Sequence, residues 1–179
     1  MTPARQGDLD GACGFYAVVN AVQLLYPKID RTRLFNHIVH DHTQHFVHGT
    51  GRNQLNRVLQ KAESFMASRR VGMPIRIERP FWKCTPATLE EYWETLRNMQ
   101  GESEVPIIGY EFNKGDKPNT DAHWSVVRKV TKKHLILHDS DGTKRIPRER
   151  SQRISEYIRH QRRPYFLDTT ATFVIARAE

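Results

Sequence analysis

The hydrophobic and polar positions of this chain divide it into a helical first half and a strand-rich second half. Residues 13–25 are apolar on nearly every side of a helix, which predicts a central, buried helix that ends before Pro27. Apolar residues at helical spacing predict three further helices, at 31–39, at 52–67 and from the Thr85-Pro86 start through Leu96.

Short runs of apolar and β-branched residues predict strands, most of them in the second half. These runs lie at 73–80, 105–111, 123–130, 134–139 and 170–177, and one more helix is predicted at 151–160. Helices first and neighbouring strands afterwards indicate an α+β fold with a mostly antiparallel sheet. Because no linker or repeat divides the sequence, we expect residues 1–179 to form one domain.

Composition narrows the class of protein without changing this fold. The 179 residues are 38% hydrophobic and 27% charged, as in ordinary globular domains. No apolar stretch has the length of a membrane span, and the N-terminus lacks the apolar stretch of a Sec signal peptide. We therefore expect a cytoplasmic protein, or one delivered into a target cell by a dedicated secretion system. Cys13 and Cys84 are expected to be free thiols, since two cysteines fit neither a disulfide framework nor a zinc set.

The formal net charge of +8 is concentrated in residues 128–163, which hold twelve Lys/Arg and four Asp/Glu. Outside this basic segment, sixteen residues of each sign cancel. Two interpretations stay open: a solvated face, or a surface for an acidic protein, anionic lipid or nucleic acid. Because the segment lacks interleaved aromatic residues, a nucleic-acid-binding module ranks below a protein or peptide partner of acidic character.

The start of the buried helix carries the most unusual local pattern, QGDLDGACGFY at residues 6–16. A thiolate of Cys13 at a helix N-terminus would be stabilised by unpaired N–H groups and the helix dipole. Gly11 and Gly14 leave room for a substrate, and Gln6 together with the Cys13 backbone N–H could stabilise an oxyanion. A small buried hydrophobe at a helix start explains Cys13 equally well from local sequence alone.

A base for Cys13 is available in DAHWSVVRKVTKKHLILHDSDG, residues 121–142. If the two strands that flank Thr131 form one hairpin centred on it, His123 lies opposite Asp139 on the same face. A carboxylate in that position would hold the imidazole in its working tautomer. Asp141 becomes the partner of His123 if the register slips by two residues.

Together these residues resemble the papain-like cysteine peptidase superfamily, whose active-site order is Gln, Cys, His and Asp or Asn. The pattern Q…GACGFY, then HW opening a strand, then LHDS, is most similar to compact C39-like peptidases and to bacterial effector cysteine peptidases and deamidases. The resemblance implies a papain-like fold with nucleophile Cys13, general base His123, orienting Asp139 and oxyanion-hole Gln6. It implies no cofactor and no metal.

Two features depart from the family pattern. Gly14-Phe15-Tyr16 follows the nucleophile in place of the Cys-Trp of the lysosomal branch, and Gln6 precedes Cys13 by seven residues where six is usual. The resemblance implies a thiol hydrolase that cleaves a peptide bond in a protein or peptide through a Cys-His-Asp triad and a thioester. A glutamine deamidase or transglutaminase would use the same residues, and a catalytically silent adaptor would keep only the fold.

Five histidines form a separate cluster between residues 37 and 48: His37, His40, His42, His45 and His48. No cysteine joins them and no metal-ligand spacing repeats, so the pattern favours a solvated, pH-sensitive loop over a metal site.

Overall fold

Four α-helices and seven β-strands lie in the described part of the chain, which covers residues 2–4, 11–40, 49–113, 121–156 and 162–178 of the computed structural model. The helices are α1 (Cys13–Leu25), α2 (Arg31–Val39), α3 (Arg52–Ala67) and α4 (Leu89–Asn98). The strands are β1 (Ile75–Glu78), β2 (Glu104–Phe112), β3 (Asp121–Val130), β4 (His134–His138), β5 (Arg145–Pro147), β6 (Ser151–Arg153) and β7 (Tyr165–Arg177).

The strands form one sheet in the order β1-β7-β2-β3-β4-β5, with β6 beside β7. β6 runs parallel to β7, and every other neighbouring pair in the described residues is antiparallel. The predicted α+β class with a mostly antiparallel sheet is therefore confirmed. β7 lies next to the β1 end of the sheet and has three partners, because it pairs with β2 along most of its length and with β1 and β6 on its other side.

The first three helices have the bounds that the hydrophobic pattern predicts. Nearly every residue of α1 is buried, because its apolar side chains face the sheet on one side and α2 and α3 on the others. The side chain of Asp30 caps α2 by accepting a hydrogen bond from the backbone N–H of Arg33. By contrast, no side chain caps α1 at Ala12, and its first turn holds no acidic residue.

Helix α4 begins at Leu89, not at the predicted Thr85-Pro86 start. The Thr88 side chain accepts a hydrogen bond of 3.0 Å from the backbone N–H of Glu91. The carboxylate of Glu91 accepts one of 2.7 Å from the backbone N–H of Ala87. This reciprocal capping fixes the helix start three residues beyond the proline.

The predicted helix at 151–160 is wrong. Residues Ser151–Arg153 form the short strand β6, and the side-chain amide of Gln152 donates 2.8 Å to the carbonyl of Arg163. The free edge of the long strand β7 supplies the hydrogen-bonding partner for this segment, an interaction that local propensity does not contain. Residues 157–160 lie outside the described residues.

Hydrophobic residues cover both faces of the sheet. Helices α1, α2 and α3 pack on one face against residues such as Ile107 and Trp124, and α4 packs on the other against Ile108 and Tyr110. Side chains of successive residues in a strand point to opposite faces of the sheet, so neighbouring residues pack in different layers. In the described part of the chain no helix combines the length and apolar character needed to cross a membrane.

Thr50 connects the start of α1 to the sheet. Its hydroxyl donates 3.2 Å to the carbonyl of Gly11, and its own carbonyl accepts the indole N–H of Trp124. A Cβ added at Gly14 would lie 2.5 Å from Cγ2 of Thr50, so glycine is required for this close approach.

We expect Gly14→Ala to destabilise the protein by about 1–3 kcal/mol through overpacking against Thr50. Chemical denaturation measures this free energy of unfolding. Gly101→Ala is the matched control, because the nearest atom to its added Cβ is at 3.8 Å. If the cost arises at this contact, it becomes smaller in a Thr50→Gly background; an equal cost in both backgrounds would contradict the explanation.

Candidate active site

The centre of the candidate site is a hydrogen bond between His123 on β3 and Asp139 just after β4. The imidazole Nε2 lies 3.1 Å and 3.2 Å from the two carboxylate oxygens of Asp139. The Asp139 side chain is fully buried and that of His123 is 12% exposed. A buried carboxylate bonded to one ring nitrogen fixes the orientation of the imidazole and leaves its Nδ1 for another partner.

The register that brings these residues together differs from the predicted one. Thr131 and His134 close a tight turn with an N–H to carbonyl bond of 2.9 Å, so the loop consists of Lys132 and Lys133 rather than the predicted Thr131-Lys132-Lys133. A β-bulge after Val127 shifts the pairing of β3 with β4 by one further residue. The prediction that residue 131 is the centre of the hairpin is therefore wrong.

This register still lets Asp139 reach His123. The last pair of the ladder is Val126 with His138, so three residues further along each strand Asp141, not Asp139, lies across from His123. Asp139 reaches the imidazole along the diagonal, whereas Oδ2 of Asp141 is 3.9 Å from Nε2. The slip by two residues thus leaves Asp139 as the bonded partner and adds Asp141 as a second, exposed carboxylate.

The turn HDSDG holds the Asp139 carboxylate in place. Its Oδ1 accepts 2.8 Å from the backbone N–H of Asp141, and Oδ1 of Asp141 accepts 2.8 Å from the N–H of Thr143. These are two successive Asx turns, and Gly142 between them has φ +92°, a conformation that favours glycine. The short polar sequence therefore fixes Asp139 before any substrate is present.

Cys13 is the first residue of α1 and is 6% exposed. Because α1 has neither a capping side chain at Ala12 nor an acidic residue in its first turn, the positive end of its dipole favours a negative charge at Cys13. The Cys13 thiol lies near enough to His123 to contribute to raising the pKa of the imidazole. The structure thus places Cys13, His123 and Asp139 close together, with the hydrogen bond between His123 and Asp139.

The electrostatics of His123 depend on both neighbours. Burial alone would lower the pKa of His123, but its hydrogen bonds to Asp139 and Cys13, and the charges of those groups, raise it to about 10. Burial opposes ionisation of Asp139 as well, yet its hydrogen bonds with His123 and Asp141 lower its pKa to about 2. Burial and the neighbouring Asp139 raise the pKa of Asp141. The arrangement therefore favours a protonated imidazole between a carboxylate and a thiol.

Tyr110 covers the imidazole and is a residue that the sequence pattern does not single out. It pairs with His123 across β2 and β3, is 4% exposed, and packs edge-on at 5.5 Å between ring centroids. Burial, and after it the charges of Asp139 and Asp141, raise the pKa of Tyr110. Tyr110 thus packs against the imidazole from β2, while Trp124 faces the opposite layer and donates its indole N–H to the carbonyl of Thr50. Only the β2–β3 register reveals this neighbour.

A cavity of about 240 Å³ opens beside His123. Its walls include Thr50, Trp124, Gly109 and Ala171. A Cβ at Gly109 would lie 2.9 Å from that of Ala171, so this wall is close-packed. At the rim, Arg52 and Asp168 form an ion pair of 2.8 Å. A side chain bound in this cavity would contact the ring of Trp124 in the wall and the Arg52–Asp168 ion pair at the rim.

The other predicted residues either lie outside the described residues or lie away from this site. Gln6, the predicted oxyanion-hole donor, lies outside the described residues, as do His42, His45 and His48. His37 packs against the ring of Phe65 at 5.0 Å. Cys84 is exposed, and both cysteines are free thiols.

The same cluster includes the one group of metal-ligand type found among the described residues. Atoms of His123, Asp139 and Asp141 lie within 4.8 Å of one another. A cation there would take the imidazole nitrogen that is bonded to Asp139, so metal binding and the hydrogen-bonded arrangement exclude each other.

Comparison with known proteins gives no family for this chain. No protein-family model matches the sequence, and a search of curated proteins finds no significant match. The resemblance to papain-like peptidases therefore depends on the order of Cys13, His123 and Asp139 and on their contacts.

We expect Asp139→Asn to lower the pKa of His123 well below its value of about 10, because the mutation removes the principal hydrogen bond and charge that raise it. NMR titration of the imidazole measures this pKa. Asp141→Asn is the matched control and leaves the pKa almost unchanged, since this carboxylate is 3.9 Å away and exposed. Equal effects of the two mutations would contradict the assignment of Asp139 as the main partner.

The same interaction links stability to pH. A histidine with a raised pKa contributes its full stabilisation below the unfolded value of about 6.5 and loses it as the pH rises through about 10. We therefore expect the free energy of unfolding to decrease between these two pH values in the wild type. The decrease becomes smaller in Asp139→Asn, as chemical denaturation at a series of pH values would measure.

Proposed function

We propose that this protein is a thiol hydrolase of papain-like fold that cleaves amide bonds in a protein or peptide. The observation that supports this most directly is the His123–Asp139 hydrogen bond beside Cys13, at a start of α1 that no side chain caps. A packing role for Cys13 would require neither an oriented imidazole nor a helix N-terminus without a cap.

In the first half of the proposed reaction, the Cys13 sulfur attacks the carbonyl carbon of the substrate amide. The carbon–sulfur bond forms, and the carbonyl oxygen becomes an oxyanion stabilised by N–H groups at the start of α1 and by the predicted donor Gln6. His123, already protonated, gives its proton to the leaving nitrogen. The amine departs and a thioester on Cys13 remains.

In the second half, water replaces the amine. Neutral His123 takes a proton from the water as its oxygen attacks the thioester carbon. The carbon–sulfur bond breaks, the carboxylic acid leaves, and Cys13 returns to a thiolate beside protonated His123. Asp139 keeps the imidazole oriented through both steps and stabilises its positive charge.

A glutamine deamidase or an acyl transferase remains the second candidate on the same residues. The leaving nitrogen is then the ammonia of a glutamine side chain, or an amine replaces water as the acceptor. The cavity of about 240 Å³ beside His123 has room for a side chain of that size but does not distinguish a glutamine from the side chain of a cleaved peptide. An adaptor with this fold would bind its partner without turnover.

The proposed ion pair predicts fast alkylation of Cys13 by iodoacetamide well below the free-thiol pKa of about 8.5. The test uses a Cys84→Ala background, because Cys84 is the exposed competing thiol. We expect His123→Ala to slow alkylation by at least about tenfold at neutral pH, since the thiolate loses its counter-charge. Mass spectrometry of the labelled protein over time and pH gives the rates.

His134→Ala is the matched control, because it removes a half-buried histidine from the far end of the same hairpin. Its alkylation profile should match the wild type. A slow profile that follows an ordinary thiol pKa and ignores His123 would contradict the ion pair and favour the adaptor.

Turnover distinguishes the remaining candidates. We expect the wild-type protein to create new termini in a mixture of peptides derived from digested cell protein, and Cys13→Ala to create none. Mass spectrometry identifies the products: new termini indicate a peptidase, and conversion of glutamine to glutamate without cleavage indicates a deamidase. Neither product, together with binding retained by Cys13→Ala, would contradict the hydrolase.

A further inference from the structure

A second concavity lies at the far end of the β3–β4 hairpin from His123. Its volume is about 650 Å³, larger than the cavity beside the imidazole. Its lining includes four cationic side chains, one carboxylate and one apolar residue: Lys132, Lys133, Arg148, Arg163, Glu149 and Leu89. We refer to these six residues as the basic pocket.

The cations of the basic pocket are mostly without acidic partners. Arg148 forms an ion pair of 3.2 Å with Glu90. Lys132, Lys133 and Arg163 are exposed, and none of them forms an ion pair within the ranges that the structure describes. Like charges gathered around one concavity repel one another, and an anionic ligand would relieve that repulsion.

Local structure keeps these charges together. Lys132 and Lys133 are the two residues of the tight turn closed by Thr131 and His134. The backbone N–H of Arg148 donates 2.8 Å to the carbonyl of Lys133, which holds the third cation beside them. The positive charge is therefore positioned by the fold and is not a result of composition alone.

The basic pocket is separate from the catalytic residues. Thr131 follows the end of β3 and is eight residue steps from His123, which at a strand rise of about 3.3 Å per residue is about 26 Å. At that distance a bound group touches neither Cys13 nor His123. The pocket would act on recognition and not on the reaction.

We propose that the basic pocket is a docking site for an acidic, Asp/Glu-rich segment of a partner or substrate protein. Glu149 stands among the cations and can accept hydrogen bonds from peptide N–H groups, which a polyphosphate lacks. Leu89 offers a contact for an apolar side chain of the same segment. This inference goes beyond the proposed hydrolysis and does not depend on it.

The lining also favours a protein segment over a nucleic acid. No Phe, Tyr or Trp side chain among the described residues lines the pocket, and His134 supplies the one ring there on which a base could stack.

The test measures binding of fluorescein-labelled octaglutamate by fluorescence anisotropy at low ionic strength. The pocket variant carries Lys132→Gln, Lys133→Gln and Arg163→Gln. The control variant carries Lys28→Gln, Arg69→Gln and Arg70→Gln, which remove the same charge from exposed positions elsewhere. We expect the pocket variant to bind at least about tenfold more weakly and the control to stay within about twofold of the wild type.

Several outcomes would overturn the proposal. Equal weakening in both variants would assign the binding to net charge rather than to the pocket. Tighter binding to single-stranded DNA of equal charge, or to phosphatidylserine vesicles, would assign the pocket to nucleic acid or to a membrane surface. Absence of octaglutamate binding by the wild type would reject an acidic docking site. Cys13→Ala should bind like the wild type, which separates this proposal from the hydrolase.

Discussion

The burial of α1 on all sides is the constraint on which the rest of the structure depends. A helix without a polar face must be enclosed, and here the sheet, α2 and α3 enclose it. The enclosure has to come very close at one point, where Thr50 lies against Gly14 and is held by Trp124. That contact sets the position of the α1 N-terminus, and therefore of Cys13, relative to β3.

Given this packing, the candidate site needs few additional structural features. Because His123 is buried, its imidazole needs a hydrogen-bonding partner. The two Asx turns around Gly142 provide one, since they hold the carboxylate of Asp139 in a fixed orientation. The ring of Tyr110 then packs against the imidazole of His123. Each feature is short and local, but the features meet only because β2, β3 and β4 are neighbours in the sheet. The proposed chemistry therefore depends on the topology as much as on the residues.

Sequence reasoning succeeds here where periodicity carries the information. The uniformly apolar run gives α1, and the apolar stripes of α2 and α3 give their bounds. It fails where a distant segment decides the local structure: β6 is a strand because β7 offers it an edge, and α4 begins at Leu89 because Thr88 and Glu91 cap it. The His123–Asp139 pair was inferred from a symmetric hairpin, yet a two-residue loop and a bulge create it through a different register. Tyr110 and Thr50 have no signal in one sequence, because their roles exist only after strands and helix have packed.

The position of β7 also has a consequence for the order of folding. The strand that pairs with β1, β2 and β6 is the last described one along the chain, and it pairs Arg177 with Ile75 across about a hundred residues. During synthesis β1, β2 and β6 are made before β7, the strand with which all three pair. The edges that bond to β7 therefore have no β7 partner until it is made. Contacts between such distant residues slow folding, because a long loop must close first. The hairpin that carries His123 therefore gains its support late, and Cys13 and His123 come together only when the sheet is complete.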